Sequence, residues 1–481
     1  MCGIAGIVGV TGLPADSVSR AVAMRDVLEH RGPDAAGLWN DAHAVLAHRR
    51  LSIVDLTRGQ QPLSNENGRI WVTYNGEIYN HAELRSQLRR EGHVFRTTCD
   101  TEAIVHAYES WGDAAVHRFR GMFAFALWDA PARRLLLVRD RLGVKPLYWA
   151  RAGDHLLFAS EIKALLASGL VAPEARPDRI PELLGTRTIA GPDTLFSGIH
   201  KLEPGHLAVF QDGRLTLRRY WDLPVADGRT MPSRQGYAAV ADEFRARLEE
   251  AIRLRLMADV PLGMFLSGGI DSSAVAALMS RMLDRPLQTF SVAFAHHAFS
   301  ELQYSREVAQ AIGAEAHEVV IDEHDFFATL PRLLWHEDEP LAHPSSVPLF
   351  HVSRLARRHV KVVLTGEGSD ELLAGYGRYP RIIWNWWAGT HYERLVPERW
   401  RRFVGEWCLP RVGGRSGRWM RRTFAAVPAT PAAMLFDNFA AIPLAAQRGL
   451  LTSALQPFAT PGHAYQPAVE QFSRPAAGSS L

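Results

Sequence analysis

Short apolar runs broken by turn residues fill the first third of the chain. Residues 4–8, 70–74, 123–128 and 135–138 have the length and the β-branched and aromatic content of buried strands. Turn residues over 129–133 join the last two as a hairpin. Asn80 followed by Glu83 marks a helix start, and Leu84 and Leu88 share one face of that helix. The pattern predicts a sheet-rich first domain over residues 1–169 with two helices between its strands.

Residues 170–235 are rich in Pro, Gly and Asp, with short strand patterns at 206–210 and 215–220. They read as a connector that packs on both halves. A helix then begins near Tyr237, where Val240, Phe244, Leu248, Ile252 and Leu256 recur every fourth residue as one stripe facing a core. Beyond it the period changes. Apolar strands at 260–266, 288–294, 317–321 and 361–365 alternate with helical patterns at 272–282, 302–312 and 347–358. Such alternation predicts parallel strands with crossover helices, an α/β domain over 236–481 whose ligands lie at the carboxyl ends of the strands. Residues 378–425 differ: they are arginine-rich and hold six of the 13 Trp. A stacking surface for nucleic acid is one reading. A helical subdomain with buried Trp and solvated or paired arginines is the favoured one.

Composition narrows the function. With 481 residues, 47% hydrophobic and 22% charged, the chain is globular rather than disordered or fibrous. A net charge of +3 excludes wholesale electrostatic binding of nucleic acid, so any polyanion needs a local site. Cys2, Cys99 and Cys408 make neither a disulfide framework nor a zinc-spaced cluster, which suits a reducing compartment. No apolar run is long enough to span a bilayer and no signal peptide is evident, so the expected location is cytoplasmic, with no membrane partner.

The chemistry begins at Cys2. Trimming of Met1 before this small residue leaves one residue with both a thiol and an α-amine titrating near 8, a nucleophile with its own general base. Polar segments interrupt the apolar pattern nearby: Arg31-Gly-Pro-Asp34, Arg49-Arg-Leu-Ser-Ile-Val-Asp55, Tyr74-Asn-Gly-Glu-Ile-Tyr-Asn80 and Cys99-Asp-Thr-Glu102. Taken alone, Asn75-Gly76 is also compatible with an ordinary turn. With Met-Cys-Gly-Ile at the start, these segments resemble the glutaminase domain of class II glutamine amidotransferases. That resemblance implies an α+β N-terminal-nucleophile hydrolase sandwich, in which Cys2 attacks the side-chain amide of glutamine. Asn75 and the N–H of Gly76 would form the oxyanion hole. Arg50 would clamp the α-carboxylate, Asp100 and Glu77 would hold the α-ammonium, and Ile53 and Val54 would line the pocket.

A second motif, Ser267-Gly-Gly-Ile-Asp-Ser-Ser273, follows a strand and opens a helix. Its glycines allow close approach of a ligand and the helix start offers N–H groups to an anion. No lysine follows, so this is not a Walker A loop. It resembles the pyrophosphate loop of enzymes that cleave ATP to AMP and pyrophosphate. Ser267, Gly268, Gly269, Asp271 and Ser272 would bind ATP, with Leu266, Val292, Thr365 and Gly366 around the adenosine. Asp271 would also hold Mg²⁺. In Thr365-Gly-Glu-Gly-Ser-Asp-Glu371, Asp370 would be the second Mg²⁺ ligand, Glu367 would support adenylate formation catalytically, and Glu371 would contact the acid substrate.

The combination resembles the glutamine-hydrolysing asparagine synthetases over nearly the whole chain. It implies a ligase that uses glutamine, Mg-ATP and aspartate, forms β-aspartyl-AMP, and displaces AMP with ammonia. No nucleic-acid partner is expected, and a homodimer is left open. Family members continue into a helical block with Leu-x-Lys-x-Asp-Arg and Glu-x-Arg-x-Pro-Phe-Leu-Asp patterns; neither occurs here, no lysine follows Lys361, and residues 473–481 resemble a disordered tail. The expectation is a complete glutaminase site and a C-terminally incomplete synthetase domain. Three alternatives stay open: an amidotransferase for another carboxylic acid, a glutaminase with an inactive synthetase domain, and a non-catalytic protein that keeps nucleotide affinity.

Overall fold

The computed structural model describes residues 1–224, 236–295, 300–340 and 343–473. The first half is built on strands β1 (Gly3–Gly9), β2 (Ala35–Asn40), β3 (Ala44–Arg50), β4 (Leu63–Ser64), β5 (Ile70–Ile78), β6 (Gly121–Asp129), β7 (Arg134–Arg139), β8 (Tyr148–Ala152), β9 (His155–Ala159), β10 (Ile199–Lys201), β11 (His206–Gln211) and β12 (Arg214–Arg219). They form two antiparallel sheets, in the orders β10-β8-β9-β1-β3-β2 and β12-β11-β7-β6-β5-β4. The sheets face one another through Ile4, Leu46 and Phe158 on one side and Ala126, Trp128, Leu137 and Phe210 on the other. Each outer face is covered as well. Helices α1 (Ser17–Asp26) and α4 (Ile162–Ala167) pack on Ala5, Ile7, Val45 and Leu157, while α2 (His81–Arg90) and α3 (Glu102–Trp111) pack on Val72, Phe125 and Leu136. Strands buried on both faces have no polar side to show, which is why they read as unbroken apolar runs.

This is the layered sandwich implied by the resemblance, with four α-helices where the pattern predicts two. The face of α1 that is buried is Ala21 and Met24 among charged neighbours, too little apolar contrast to register as a periodic stripe. The hairpin of β11 and β12 lies within the stretch 170–235, and β11 pairs with β7 of the second sheet.

The second half carries β13 (Leu262–Phe265), β14 (Gln288–Phe294), β15 (Glu315–Ile321) and β16 (Val362–Leu364), all parallel, in the order β15-β14-β13-β16. The fifth helix of the chain, α5 (Ile180–Thr186), lies between α4 and β10 in sequence. Helices α6 (Tyr237–Arg255), α7 (Ile270–Ser280), α8 (Leu302–Ala311), α9 (Glu323–Glu337) and α10 (Ser346–Ala356) accompany the strands. From β13 the chain builds outward to β14 and β15, then returns to place β16 on the other side of β13. The strand order therefore reverses between β13 and β16, and it is at the carboxyl ends of such a pair that sheets of this kind bind ligands.

The chain divides into two compact units. Among the described residues, the first holds Met1–Glu174 and Phe196–Gly366; the second holds Ala175–Leu195 and Glu367–Ser473. In the second unit, α5 is embedded among later residues. Gln447 Nε2 donates to Pro181 O at 3.1 Å, Ala441 N–H donates to Gly185 O at 2.9 Å, and Gly185 lies under the Tyr465 ring. The same unit contains α11 (Ser369–Leu373) and α12 (Arg378–Leu395).

Two sequence expectations fail here. Along α6 only Ile252 is buried and Leu248 and Leu256 pack beside it; Val240 and Phe244 are each 46% exposed. The stripe is real, but only its C-terminal half joins the core. In the arginine-rich segment, Trp384, Trp387, Trp400, Trp407 and Trp419 are 48% to 61% exposed rather than buried. The buried positions of α12 are Asn385 and Gly389, one turn apart, so its inward face is set by close approach and not by the indoles. Of the expected tail, Ser473 closes the helix Gln466–Ser473 and the rest lies outside the described residues, as does 225–235 of the connector.

Candidate functional site

Cys2 enters β1, whose Gly3 pairs with Arg49 of β3. The Leu51 N–H donates to Cys2 Sγ at 3.4 Å, and Arg31 Nε donates to the Cys2 carbonyl at 2.9 Å while its Nη1 reaches Glu161 at 2.8 Å. Burial pushes the thiol pKa up, and the positive amino terminus beside it acts in the opposite sense. Burial also lowers the Met1 amino group to about 5.

Asn75 and Gly76 lie in the middle of β5, paired with Ala124 and Phe123 of β6. The turn reading of this dipeptide is thereby excluded. A strand forms because the second sheet needs its apolar neighbours Val72, Tyr74 and Ile78 inside. Gly76 is required by contact: a Cβ there would lie 2.3 Å from Met122 O. Successive N–H groups of a strand point to opposite edges. Tyr74 N–H donates to Gln61 Oε1 at 2.7 Å and Ile78 N–H donates to Asp100 Oδ2 at 2.9 Å, so the Gly76 N–H between them shares that edge, away from β6. Asn75 is 1% exposed, yet its Nδ2 has no hydrogen-bond partner. A buried amide donor left unsatisfied costs about 1–3 kcal/mol, and such a group calls for an acceptor from outside the protein.

Glu77 is orphaned in the opposite sense. Its Oε2 is buried without a donor, and burial together with the negative charge of Asp100 raises its pKa well above the usual carboxylate range. Asp100, also buried, accepts from Tyr74 Oη at 2.7 Å. Two carboxylates in one buried neighbourhood create a place for a cation. Arg50 Nη2 donates to Asp55 O at 2.6 Å and Val54 O at 3.1 Å, and Nη1 to Leu56 O at 3.2 Å, which fixes the guanidinium and the turn bearing half-buried Ile53 and Val54. Sequence reasoning missed Lys145. It is 6% exposed, its pKa is lowered chiefly by burial, and its charge acts on both Glu77 and Cys2. A single lysine in a turn has no local pattern that marks it; only the fold of Asp140, which accepts the Lys145 N–H at 3.0 Å, carries it inward.

The loops that follow β13 and β16 carry most of the second set. Leu266 is buried and its N–H donates to Phe290 O at 3.0 Å. Gly268 takes φ +82°, where a Cβ would lie 2.7 Å from Ser305 N, so the loop needs glycine twice over. Gly269 caps α7, the Ser267 and Ser272 hydroxyls meet at 2.9 Å, and Ser273 Oγ donates to Gly269 O at 2.7 Å. Asp271 sits in the first turn of α7. Thr365 and Gly366 follow β16, and a Cβ on Gly366 would come 2.7 Å from Ser272 N, so the two loops abut. Val292 lies half-buried one strand away in β14. A cavity of about 650 Å³ opens at the ends of β14 and β15, between Phe294, Ile321, Asp322 and Phe327, and neither loop lines it.

Glu367, Asp370 and Glu371 belong to the second unit, whereas Asp271 belongs to the first. Asp370 and Glu371 start α11, and Tyr376 Oη donates to Glu371 at 2.7 Å, which lowers the Glu371 pKa.

Comparison with known proteins matches residues 1–221 to a glutamine amidotransferase domain and residues 243–442 to asparagine synthase. Asparagine synthetase [glutamine-hydrolyzing] 1 of Bacillus subtilis (strain 168) is 36% identical over 382 residues, which is 79% of this chain and 59% of that protein. A putative asparagine synthetase [glutamine-hydrolyzing] of Mycobacterium tuberculosis (strain ATCC 25618 / H37Rv) is 40% identical over 440 residues, 87% of this chain and 66% of that one. Among solved structures, the glutamine phosphoribosylpyrophosphate amidotransferase of B. subtilis aligns at 16% identity with a TM-score of 0.36, over 66% of this chain and 65% of that one. The chain spans about six-tenths of the length of the relatives it matches.

Proposed function

The chain belongs to the glutamine-hydrolysing asparagine synthetase family, and from that membership we propose that it forms asparagine from aspartate, ATP and glutamine, with ammonia released at Cys2. The reading rests on one observation above others: the buried Asn75 Nδ2 has no partner, and the N–H of the next residue, Gly76, lies on the edge of β5 away from β6. Two preset donors of this kind match the charge that develops on an amide oxygen under attack.

Once Met1 is trimmed, the Cys2 amine takes the thiol proton and the thiolate attacks the side-chain amide carbon of glutamine. The oxyanion is held by Asn75 and Gly76. Collapse returns the proton to nitrogen, ammonia leaves, and water then cleaves the γ-glutamyl thioester to glutamate. Glu77 and Asp100 hold the substrate ammonium, and Arg50 holds its carboxylate with a planar fork.

At the second site, the loop from Ser267 to Ser273 cradles the phosphates of ATP on serine hydroxyls and the start of α7. The aspartate side-chain carboxylate attacks the α-phosphate and pyrophosphate departs. Ammonia then attacks the β-aspartyl carbon and AMP leaves. Glu367 supports adenylation and Glu371 meets the amino-acid substrate. Asp271, a hard oxygen donor in the first turn of α7, would hold Mg²⁺, which neutralises charge on phosphate oxygens, and by family likeness Asp370 would be its second ligand. The test is to measure glutamate, AMP and pyrophosphate separately with aspartate as acceptor. All three together uphold the reading; glutamate alone reduces the protein to a glutaminase.

A further inference from the structure

Outside both sites, four side chains converge on the outer side of the second sheet. Glu66 lies in the turn between β4 and β5, His93 follows α2, and His106 and Glu109 stand three residues apart on one face of α3. His93 Nδ1 is 3.2 Å from Glu66 Oε1 and 3.7 Å from Glu109 Oε2; His106 Nδ1 is 3.3 Å from Glu66 Oε2 and 3.4 Å from Glu109 Oε2. One ligand atom from each residue lies within 4.8 Å of all the others. A tetrahedral zinc ion with bonds of about 2.0–2.1 Å has ligand-to-ligand edges of about 3.3–3.4 Å, and the four imidazole-to-carboxylate separations, counted to either oxygen of Glu66, run from 3.2 to 3.7 Å.

We propose that Glu66, His93, His106 and Glu109 form a structural site for a zinc-class divalent cation, bound through both imidazole Nδ1 atoms and one oxygen of each carboxylate.

The surroundings match what such ligands need. Metal-binding imidazoles rest their other nitrogen on an oxygen, which fixes ring and tautomer. His93 Nε2 meets Ser110 Oγ at 2.9 Å. His106 Nε2 is buried without a hydrogen bond and faces Glu102 Oε1 at 3.6 Å, close enough to pair once an ion draws the ring into place. Glu102 is itself fixed by the N–H groups of Arg96 and Thr97, each at 2.7 Å. The carboxylates are held too: Val94 N–H donates to Glu66 Oε1 at 2.9 Å and Asn65 Nδ2 to Glu109 Oε1 at 2.7 Å. Two imidazoles and two carboxylates fill a tetrahedron, so no position is left for substrate and the role is architectural. The ion would clasp three separate segments: the turn at Glu66, the stretch beginning at His93, and α3. That stretch runs on to Asp100, so the clasp would steady one wall of the glutamine pocket.

The test uses the full chain, stripped with a chelator and held in excess Mg²⁺ to fill the nucleotide site. Zinc is then added and stoichiometry measured after gel filtration, with Co²⁺ as a spectroscopic stand-in. The proposal requires one retained zinc per chain, a Co²⁺ spectrum of tetrahedral intensity, and a higher unfolding temperature with zinc than without. His93→Ala and Glu109→Gln, both at partly exposed positions, must each abolish stoichiometric retention while circular dichroism stays as in the unsubstituted chain; Cys2→Ala must retain it. Weak, substoichiometric or octahedral binding, or retention unchanged in both variants, overturns it. Should His93→Ala misfold, Glu109→Gln alone decides, since it preserves shape and removes only the charge.

Discussion

Asp259 and Asp55, 204 residues apart in the chain, are joined: the Asp55 N–H donates to Asp259 Oδ2 at 2.8 Å. The Asp259 N–H donates in turn to Ile53 O at 3.0 Å. The turn that Arg50 organises is thus held from the synthetase side of the chain, just past the end of α6. Asp55 itself has a depressed pKa: burial raises it, but donors from Thr98 and Arg58 outweigh that.

Loosening this link should be felt at the glutamine pocket. Asp259→Ala removes a charge-assisted hydrogen bond whose contribution is about 1.5 kcal/mol at the low end, so KM for glutamine should rise about tenfold. Turnover with ammonium in place of glutamine should stay unchanged. Steady-state kinetics with each nitrogen donor separates the two, and an unaltered KM for glutamine would remove Asp259 from the pocket's support.

Retention of Met1 should silence glutamine hydrolysis. With Met1 in place the Cys2 nitrogen is an amide and cannot accept the thiol proton. A chain with an untrimmed methionine, verified by mass spectrometry, is expected to release no glutamate above background while still using ammonium. Glutamate release by that form would require another base.

Asn75→Ala should reduce kcat for glutamine hydrolysis by about 10²- to 10³-fold, the usual effect of removing one oxyanion donor. KM should move far less, because the donor is called on mainly in the transition state. A change in KM alone would point to simple substrate binding.

At the nucleotide site, Asp271→Asn should abolish aspartate-dependent pyrophosphate release and leave glutamate release intact. Both are read on one preparation with coupled assays. Loss of both activities would show that the substitution damages the fold and not that site alone.

Glu161 supplies a pH dependence. Burial alone would raise its pKa, but the hydrogen bond from His30 and the charges of Arg31 and Lys163 hold it at about 2 instead of 4.5. A depressed carboxyl stabilises the fold above its unfolded value, and the gain is lost as pH falls through the interval from 4.5 to 2. That gap corresponds to about 3 kcal/mol. Glu161→Gln should therefore lower stability near neutrality by up to that amount and flatten the acid limb of the curve. Denaturant titrations across the acid range provide the check; parallel acid limbs in the two proteins would contradict it.

What could be foreseen from the sequence followed from local contrast. The four parallel strands were visible because buried runs such as 288–294 stand between polar helices, and Leu84 and Leu88 announced α2. Asn75, Glu77 and Asp100 were singled out by motif, and the fold brings them to one buried neighbourhood. What stayed hidden depends on partners distant in sequence. Nothing local tells that Val240 and Phe244 stay exposed, that Trp384 and Trp387 of α12 face outward, or that the charge of Lys145 acts on Cys2. The carboxylates and imidazoles of Glu66, His93, His106 and Glu109 span more than forty residues, and only the His106–Glu109 step has helical spacing.

Residues Ala175–Leu195 make an excursion whose ends touch. The Ser197 N–H donates to Glu174 O at 2.7 Å, and inside the excursion Arg176 N–H donates to Leu195 O at 2.8 Å. Dissection of the gene must respect that geometry. A fragment cut after residue 221 would carry α5 stripped of Tyr465 and Gln447, and a fragment starting at residue 243 would lack the helix that fills their slot. The neat scission is internal: splicing Glu174 directly to Phe196 would spare the antiparallel sheets, because the chain already closes that gap by itself.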